Sequence, residues 1–349
     1  MAAAVVVLTP NLCGRDGISR LARLVTATFG DVTVLALHEP PSVTSFEGAQ
    51  VRGAGGYRSR FVAAALGFAA TADRHTTVIV THLHLAPAAL AFAARGASVT
   101  TMLCGVEAWQ RVNPLQRAAL DRAARLIAIS RFTRDGFHTA NPHFAGRAVE
   151  VCHLGVEPLP GAEPTPAGPP SALIVGRMAA DERYKGHDPL LEIWSDVAAA
   201  VPGASLRIVG DGDDRARLER KAASLGLGGQ VTFLGRLDEA ALRREYEGCT
   251  AFVMPSRDEG FGFVFVEAMR AARACVGSRG AAAEIIADGD TGVLVEPGDR
   301  AQLLDGVVRL LRDRPAAAAM GARGRARFLE QFTEQQFRAR FRALLPVAS

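Results

Sequence analysis

Tryptophan and tyrosine are nearly missing from this chain. It has two Trp and three Tyr in 349 residues, and all aromatics together make up 6%. With alanine abundant, that scarcity favours helices packed closely on sheets. A charge excess is missing too: the formal net charge is +4, with Lys and Arg nearly balanced by Asp and Glu. This is not the footprint of a nucleic-acid binder. The five cysteines are an odd number, and no two have Cys-x-x-Cys spacing, which suits a reduced, cytoplasmic protein. Long hydrophobic runs are lacking as well. The longest mostly apolar stretch, Phe61 to Ala72, falls short of the roughly 20 residues that span a bilayer, so any membrane contact is expected to be peripheral. The first residues lack a basic n-region and reach Pro10 quickly, which reads as a buried first strand rather than a signal peptide.

Apolar residues make up 49% of the chain, enough to fill two cores, and the length favours two domains. Short β-branched runs alternate with amphipathic stretches. Strands are expected at Val5–Leu8, Val32–Leu37, Thr77–Thr81, Ser98–Leu103, Leu126–Ile129 and Ala148–Cys152. Helices are expected at Ile18–Phe29, Arg60–Ala72, Ala86–Arg95, Leu115–Ala124 and Phe132–Ala140. This alternation predicts a parallel sheet covered on both faces. Residues 155–170 then hold six prolines. Proline denies both helix and ladder hydrogen bonds, so the segment reads as a stiff linker.

The alternation restarts beyond it. Strands are expected at Ala172–Val175, Ser205–Val209, Val231–Phe233, Ala251–Met254, Ala274–Val276 and Gly292–Val295. The helices are Pro189–Ala200, Arg215–Ser224, Glu239–Tyr246, Val264–Ala272 and Arg300–Leu311, and a helical stretch, Ala316–Leu345, closes the chain. Ligands of such sheets sit at the carboxyl ends of strands, so a cleft between two such domains is the expected active site.

Two strings carry chemistry. After the strand Ala251–Met254 comes Glu259-Gly-Phe-Gly followed by Glu267. Gly260 and Gly262 allow a sharp turn, and a helix beginning near Phe263 or Val264 offers amides and a dipole suited to a diphosphate. Glu267 is expected in the first turn of that helix, placed to accept from a ribose diol. A glycine-rich loop with an N-terminal helix charge accounts for the same residues in purely structural terms. After the strand Ala172–Val175 comes Gly176-Arg177, then Lys185-Gly186. A guanidinium and an ammonium there can hold a diphosphate and neutralise it as it leaves; a solvated charged loop is the plainer alternative.

With Val209-Gly-Asp-Gly, Phe233-Leu-Gly and Asp288-Gly-Asp-Thr-Gly added, the chain resembles the retaining glycosyltransferase family four, of the GT-B fold. The match is almost continuous over the C-terminal half and sparser before it. The resemblance implies an α/β chain of two Rossmann-like domains. Residues 1–154 would form an acceptor domain, 155–170 a linker, 171–331 a nucleotide-sugar donor domain, and 332–349 a helix returning to the N-terminal domain. It implies that Arg177 and Lys185 hold the donor diphosphate, with backbone donors from Gly262, Phe263 and Val264 in the loop that includes Gly260 and Phe261. Glu259 would contact the transferred sugar near the reacting carbon, and Glu267 the ribose. Gly17 would approach the phosphates, and Arg236 and Leu237 would lie near the base. Cys104, carried over as a sugar-side residue, stands where the family often has His; either another group supplies the usual imidazole contact, with Glu107 and the nearby His82 and His84 as candidates, or the sugar sits differently, and a buried structural cysteine is the plainer reading.

The implied reaction moves a hexose, of mannose or glucose type, from a GDP- or UDP-linked donor to a glycan or polyprenol-linked acceptor, with retention. No cofactor or required metal is expected. Asp211-Gly-Asp213 and Asp288-Gly-Asp290 read as turn and cap chemistry, and His82-Leu-His84, at a strand end, lacks a completing ligand for zinc. The arginines Arg111, Arg117, Arg122 and Arg125, around Asp121, read as basic charge on one helix: a solvated face, or one drawn to anionic lipid at the inner face of a membrane. A nucleotide-sugar epimerase on the same fold and a non-catalytic sensor are the alternatives.

Overall fold

The computed structural model describes residues 4–159 and 168–345, so half of the expected linker, residues 160–167, lies outside the described residues. The chain forms two compact units, Met1–Gly155 with Glu334–Ser349, and Val156–Thr333.

The first unit holds eight strands: β1 Val5–Thr9, β2 Thr33–Ala36, β3 Ser45–Phe46, β4 Ala49–Gly53, β5 Thr77–Val80, β6 Ser98–Leu103, β7 Arg125–Ala128 and β8 Glu150–Val151. Their order is β3-β4-β2-β1-β5-β6-β7-β8. The central strands are almost wholly buried, as a sheet covered on both faces requires. The sheet is not purely parallel as expected, because β3 pairs with β4 antiparallel at the edge. Neither strand was foreseen: β3 is only two residues long, and β4 (Ala-Gln-Val-Arg-Gly) buries just Ala49 and Val51. The helix Glu334–Leu344 belongs to this unit. Its stacked, fully buried Phe337 and Phe341 anchor it, and Arg342 donates to the Thr28 carbonyl at the end of the first helix.

The second unit holds β9 Ser171–Val175, β10 Ser205–Val209, β11 Val231–Gly235, β12 Ala251–Met254, β13 Ala274–Ser278 and β14 Gly292–Val295, all parallel, in the order β11-β10-β9-β12-β13-β14. Counted within the unit this is 3-2-1-4-5-6, the Rossmann order, with its reversal between β9 and β12. The ladder there carries two registered pairs, against five between β9 and β10. The two strands therefore part toward their carboxyl ends, where a crevice for ligand forms.

Three further expectations need correction. Residues 86–95 do not form one helix. A 3-10 helix, Leu83–Ala89, containing Pro87, leads into a short α-helix, Leu90–Ala94, since proline cannot donate the hydrogen bond an α-helix needs. The closing stretch is two helices, Arg314–Gln331 and Glu334–Leu344, parted where Thr333 bridges to Val156. Of the four arginines expected on one helix, only Arg117 and Arg122 lie on Pro114–Arg122; Arg111 precedes it and Arg125 opens β7.

Candidate active site

The loops leaving β9 and β12 meet at the crevice between those strands. The β9 loop runs through Gly176-Arg177 into a 3-10 turn, Ala180–Lys185, ended by Gly186 in the left-handed region at φ 92°. The Arg257 amide of the β12 loop donates to the Tyr184 carbonyl at 3.0 Å. This bond ties the two loops together and fixes Lys185 beside Glu259.

Lys185 Nζ lies 3.8 Å from Glu259 Oε2 and 4.0 Å from Glu182 Oε2. Arg177 makes a two-point contact with the same Glu182, Nε donating to Oε2 at 2.9 Å and Nη2 to Oε1. Arg177, Lys185 and Glu259 are thus brought together, with Glu182 as an unforeseen fourth member. Its position inside the string separating Arg177 from Lys185 was the only signal of it. Burial pushes the Glu259 carboxyl above its ordinary pKa, and the Lys185 ammonium draws it back. Tyr184 is the other unforeseen group. Burial, then the Glu182 and Glu259 charges, raise its phenol, so it stays protonated beside them.

The helix after the β12 loop is Phe263–Arg270. Gly262, at φ 96°, is its N-cap and brings no side-chain cap to the first turn, which suits that turn to an anion. Glu267 is the fifth residue of this helix, not in its first turn as expected, because the helix starts at Phe263. Glu267 is buried and accepts from the Tyr246 hydroxyl at 2.8 Å. The Phe261 ring also turns inward, 2% exposed and packed near Phe263 and Phe332. Arg236, exposed, and Leu237 follow the edge strand β11.

His187 opens the helix His187–Ala200 behind Lys185. It is 4% exposed, and its Nε2 makes no hydrogen bond among the described residues. Burial, aided by the Lys185 charge, pushes its pKa down to about 4 from 6.5. The folded state therefore binds this proton less readily than the unfolded chain. Stability present above pH 6.5 should be lost as the pH falls through about 4, by up to about 3 kcal/mol at 1.36 kcal/mol per unit. The urea midpoint of His187→Gln should accordingly drop less than that of the parent between about pH 7 and about pH 4.5. Parallel declines would mean that His187 does not govern this window.

In the first unit, Gly17 is the first residue of the helix Gly17–Thr26. The Asp16 side chain caps that helix, accepting from the Ile18 and Ser19 amides at 3.0 Å. Cys104 follows β6. Its thiol, raised by burial and then by Glu107, donates to the Thr81 carbonyl at 3.1 Å. Glu107 accepts from the Cys104 amide at 2.7 Å. His82 lies just past the end of β5 and caps the 3-10 helix, and its ring lies 4.9 Å from that of His84. Burial lowers the His82 pKa, and Glu107 partly offsets this.

The aspartate strings do loop work. Asp213 accepts from the Ala180 amide, and Asp211 from the Gly212 amide, while Asp214 is the residue at the helix cap. Asp288 pairs with Arg279 and Asp290 with Arg323. Among the described residues no helix is long and apolar enough to cross a membrane.

Known proteins resemble this arrangement. Residues 169–313 match the family model for glycosyl transferases group 1. A GDP-mannose-dependent alpha-(1-6)-phosphatidylinositol monomannoside mannosyltransferase of Mycolicibacterium smegmatis is 30% identical over 262 residues, covering 66% of this chain and 65% of its own. A monoacylated-substrate counterpart from Corynebacterium glutamicum is 36% identical over 150 residues, 41% of this chain and 39% of its own. The chain thus spans less than two thirds of these relatives. Among solved structures, HepE of Anabaena with UDP and glucose superposes with a TM-score of 0.78 at 19% identity, covering 97% of this chain and 98% of that one. Sucrose-phosphate synthase of Thermosynechococcus elongatus gives 0.77 at 20%, covering 98% of each. The fold is thus of the GT-B class, and the Arg177, Lys185 and Glu259 cluster lies within residues 169–313, the part of the chain that matches the group 1 glycosyltransferase model.

Proposed function

We propose that the chain transfers a hexose, of mannose or glucose type, from a GDP- or UDP-linked donor to a glycan or polyprenol-linked acceptor, with retention at the anomeric carbon. The observation that carries this reading is the convergence of two cations and one carboxylate, Arg177, Lys185 and Glu259, on the crevice between β9 and β12. Lys185 and Arg177 take the diphosphate, and the amides around Gly262 to Val264 add donors. Glu259 faces the reacting sugar and Glu267 serves the ribose, one of its oxygens already engaged by Tyr246. Arg236 and Leu237 face the base. Gly17 is assigned to the phosphates, and Cys104 and Glu107 to the sugar, as the resemblance implies. Asp16 at the helix start makes Gly17 the least favourable of these assignments, because its carboxylate repels an anion.

In the transfer, the bond from the anomeric carbon to the β-phosphate oxygen breaks. The acceptor oxygen bonds to that carbon on the same face, and its proton passes to the departing phosphate oxygen. Arg177 and Lys185 neutralise the charge that grows on the diphosphate, so the reading assigns no metal. The relatives named above act on a phosphatidylinositol mannoside, which favours a lipid-linked acceptor reached by peripheral contact on the cytoplasmic side of a membrane. The two mannosyltransferases and the sucrose-phosphate synthase named above are transferases or synthases by name, and the epimerase reading finds no support among them.

The test is an assay of purified protein in excess EDTA with GDP- and UDP-linked hexoses and polyprenol-linked acceptors, reading product stereochemistry by NMR. A product with the donor's anomeric configuration is expected. An inverted product, or sugar isomerised without acceptor, would overturn the reading.

A further inference from the structure

Glu182 sits where the donor diphosphate has to bind. One carboxylate engages both cations of the site: Arg177 through Nε at 2.9 Å and through Nη2, and Lys185 at 4.0 Å. A phosphate that takes the same Nε–Nη2 edge of Arg177 and draws Lys185 toward itself competes with Glu182 for both cations.

The ends of the loop that carries Glu182 are fixed. Before it, the Met178 amide donates to the Asp211 carbonyl, and Ala180 donates to the Asp213 carboxylate. After it, the Tyr184 carbonyl accepts from Arg257. Glu182 itself is the point where the 3-10 turn departs from helical geometry, at φ −116° and ψ 26°. Its side chain is 15% exposed, while that of Arg177 is 66% exposed, so an anion can reach the pair from solvent on the Arg177 side.

We infer that Glu182 is an internal counter-anion that the donor diphosphate displaces and that recaptures Arg177 and Lys185 when the nucleoside diphosphate leaves. This rests on the reading of Arg177 and Lys185 as the diphosphate site. While the site is empty, Glu182 neutralises Arg177 and shares Lys185 with Glu259. It also lowers the affinity for nucleoside diphosphate, since every binding event must first break its contacts. The consequence for turnover is faster product release, because the competitor for the product is already in place.

Calorimetric titration of the full chain with UDP and GDP, for the parent, Glu182→Gln and Lys185→Ala, tests this. Glu182→Gln keeps the shape and removes the charge, and should tighten nucleoside-diphosphate binding on the order of tenfold, about 1.4 kcal/mol. Glu182→Asp should stay near the parent value. A residue that only shaped the loop would weaken binding when changed, so an unchanged or looser Kd in a Glu182→Gln protein of parent-like thermal stability overturns the inference. Lys185→Ala separates the two levels. If it leaves binding unchanged, the diphosphate site itself is misplaced. If it weakens binding while Glu182→Gln fails to tighten it, the site stands and the displacement does not.

Discussion

Glu259→Gln should lower kcat on the order of a hundredfold while leaving the Kd for nucleoside diphosphate within a few fold. Gln keeps the size of the side chain and removes its charge. In the proposed reaction, positive charge grows at the anomeric carbon as the leaving-group bond stretches, and a fixed carboxylate facing it acts in the transition state far more than in the ground state. Removing one preorganised electrostatic contact of that kind costs ~10²–10³ in rate. Glu259 is suited to the task because two opposing effects meet on it: burial disfavours its charge, and Lys185 at 3.8 Å partly offsets that. A carboxylate held this way is poorly solvated and interacts strongly with whatever enters the crevice. Steady-state kinetics together with calorimetry check the point. An unchanged kcat would remove Glu259 from the reacting centre. A loss confined to KM and Kd would make it a ground-state binding group instead.

Much of the fold was legible because buried parallel strands are continuous apolar runs. Ser98–Leu103, Ser205–Val209, Ala251–Met254 and Gly292–Val295 end where their composition says they do. The antiparallel edge pair β3 and β4 was not legible. An edge strand buries only one face, and Ala49 with Val51 is too little pattern to stand out from a loop. The 3-10 helix at Leu83–Ala89 was missed for a related reason. Its alanines and leucines suit an α-helix, and only Pro87 argues otherwise.

The donor-side cluster was legible as two strings at strand ends, because backbone topology places such loops side by side. Long-range side-chain pairing was not. Nothing in the local order of residues says that Glu182 folds back onto Arg177, or that the Tyr246 hydroxyl finds Glu267 across 21 residues. The expected start at Phe263 held, but counted from there Glu267 is the fifth residue, one past the first turn. Cys104 was marked by its unusual type, and the structure gives it a backbone partner, the Thr81 carbonyl.

Gly186→Ala should destabilise the fold by about 2–5 kcal/mol and loosen nucleoside-diphosphate binding along with it. Two costs add at this residue. Its φ of 92° lies in the left-handed region, where a side chain costs about 1–2 kcal/mol. A Cβ there would also lie 2.7 Å from Pro255 Cγ and 2.8 Å from the Pro255 carbonyl oxygen, and overpacking of that kind adds about 1–3 kcal/mol. Neither neighbour yields easily, one being a proline ring and the other backbone. Relief must come from moving the β9 loop away from the β12 loop, which strains the Arg257–Tyr184 bond and draws Lys185 from Glu259. Gly203→Ala provides the control: its φ is 80°, but nothing stands within 4 Å of the added methyl. That variant should lose only the conformational part, about 1–2 kcal/mol, and keep its affinity. Urea unfolding and titration with UDP and GDP measure both quantities on each variant. Equal stability losses in the two would show that the approach of Gly186 to Pro255 is not tight. A Gly186→Ala protein that binds nucleoside diphosphate as well as the parent would show that the contact between the two loops does not set the spacing of the catalytic pair.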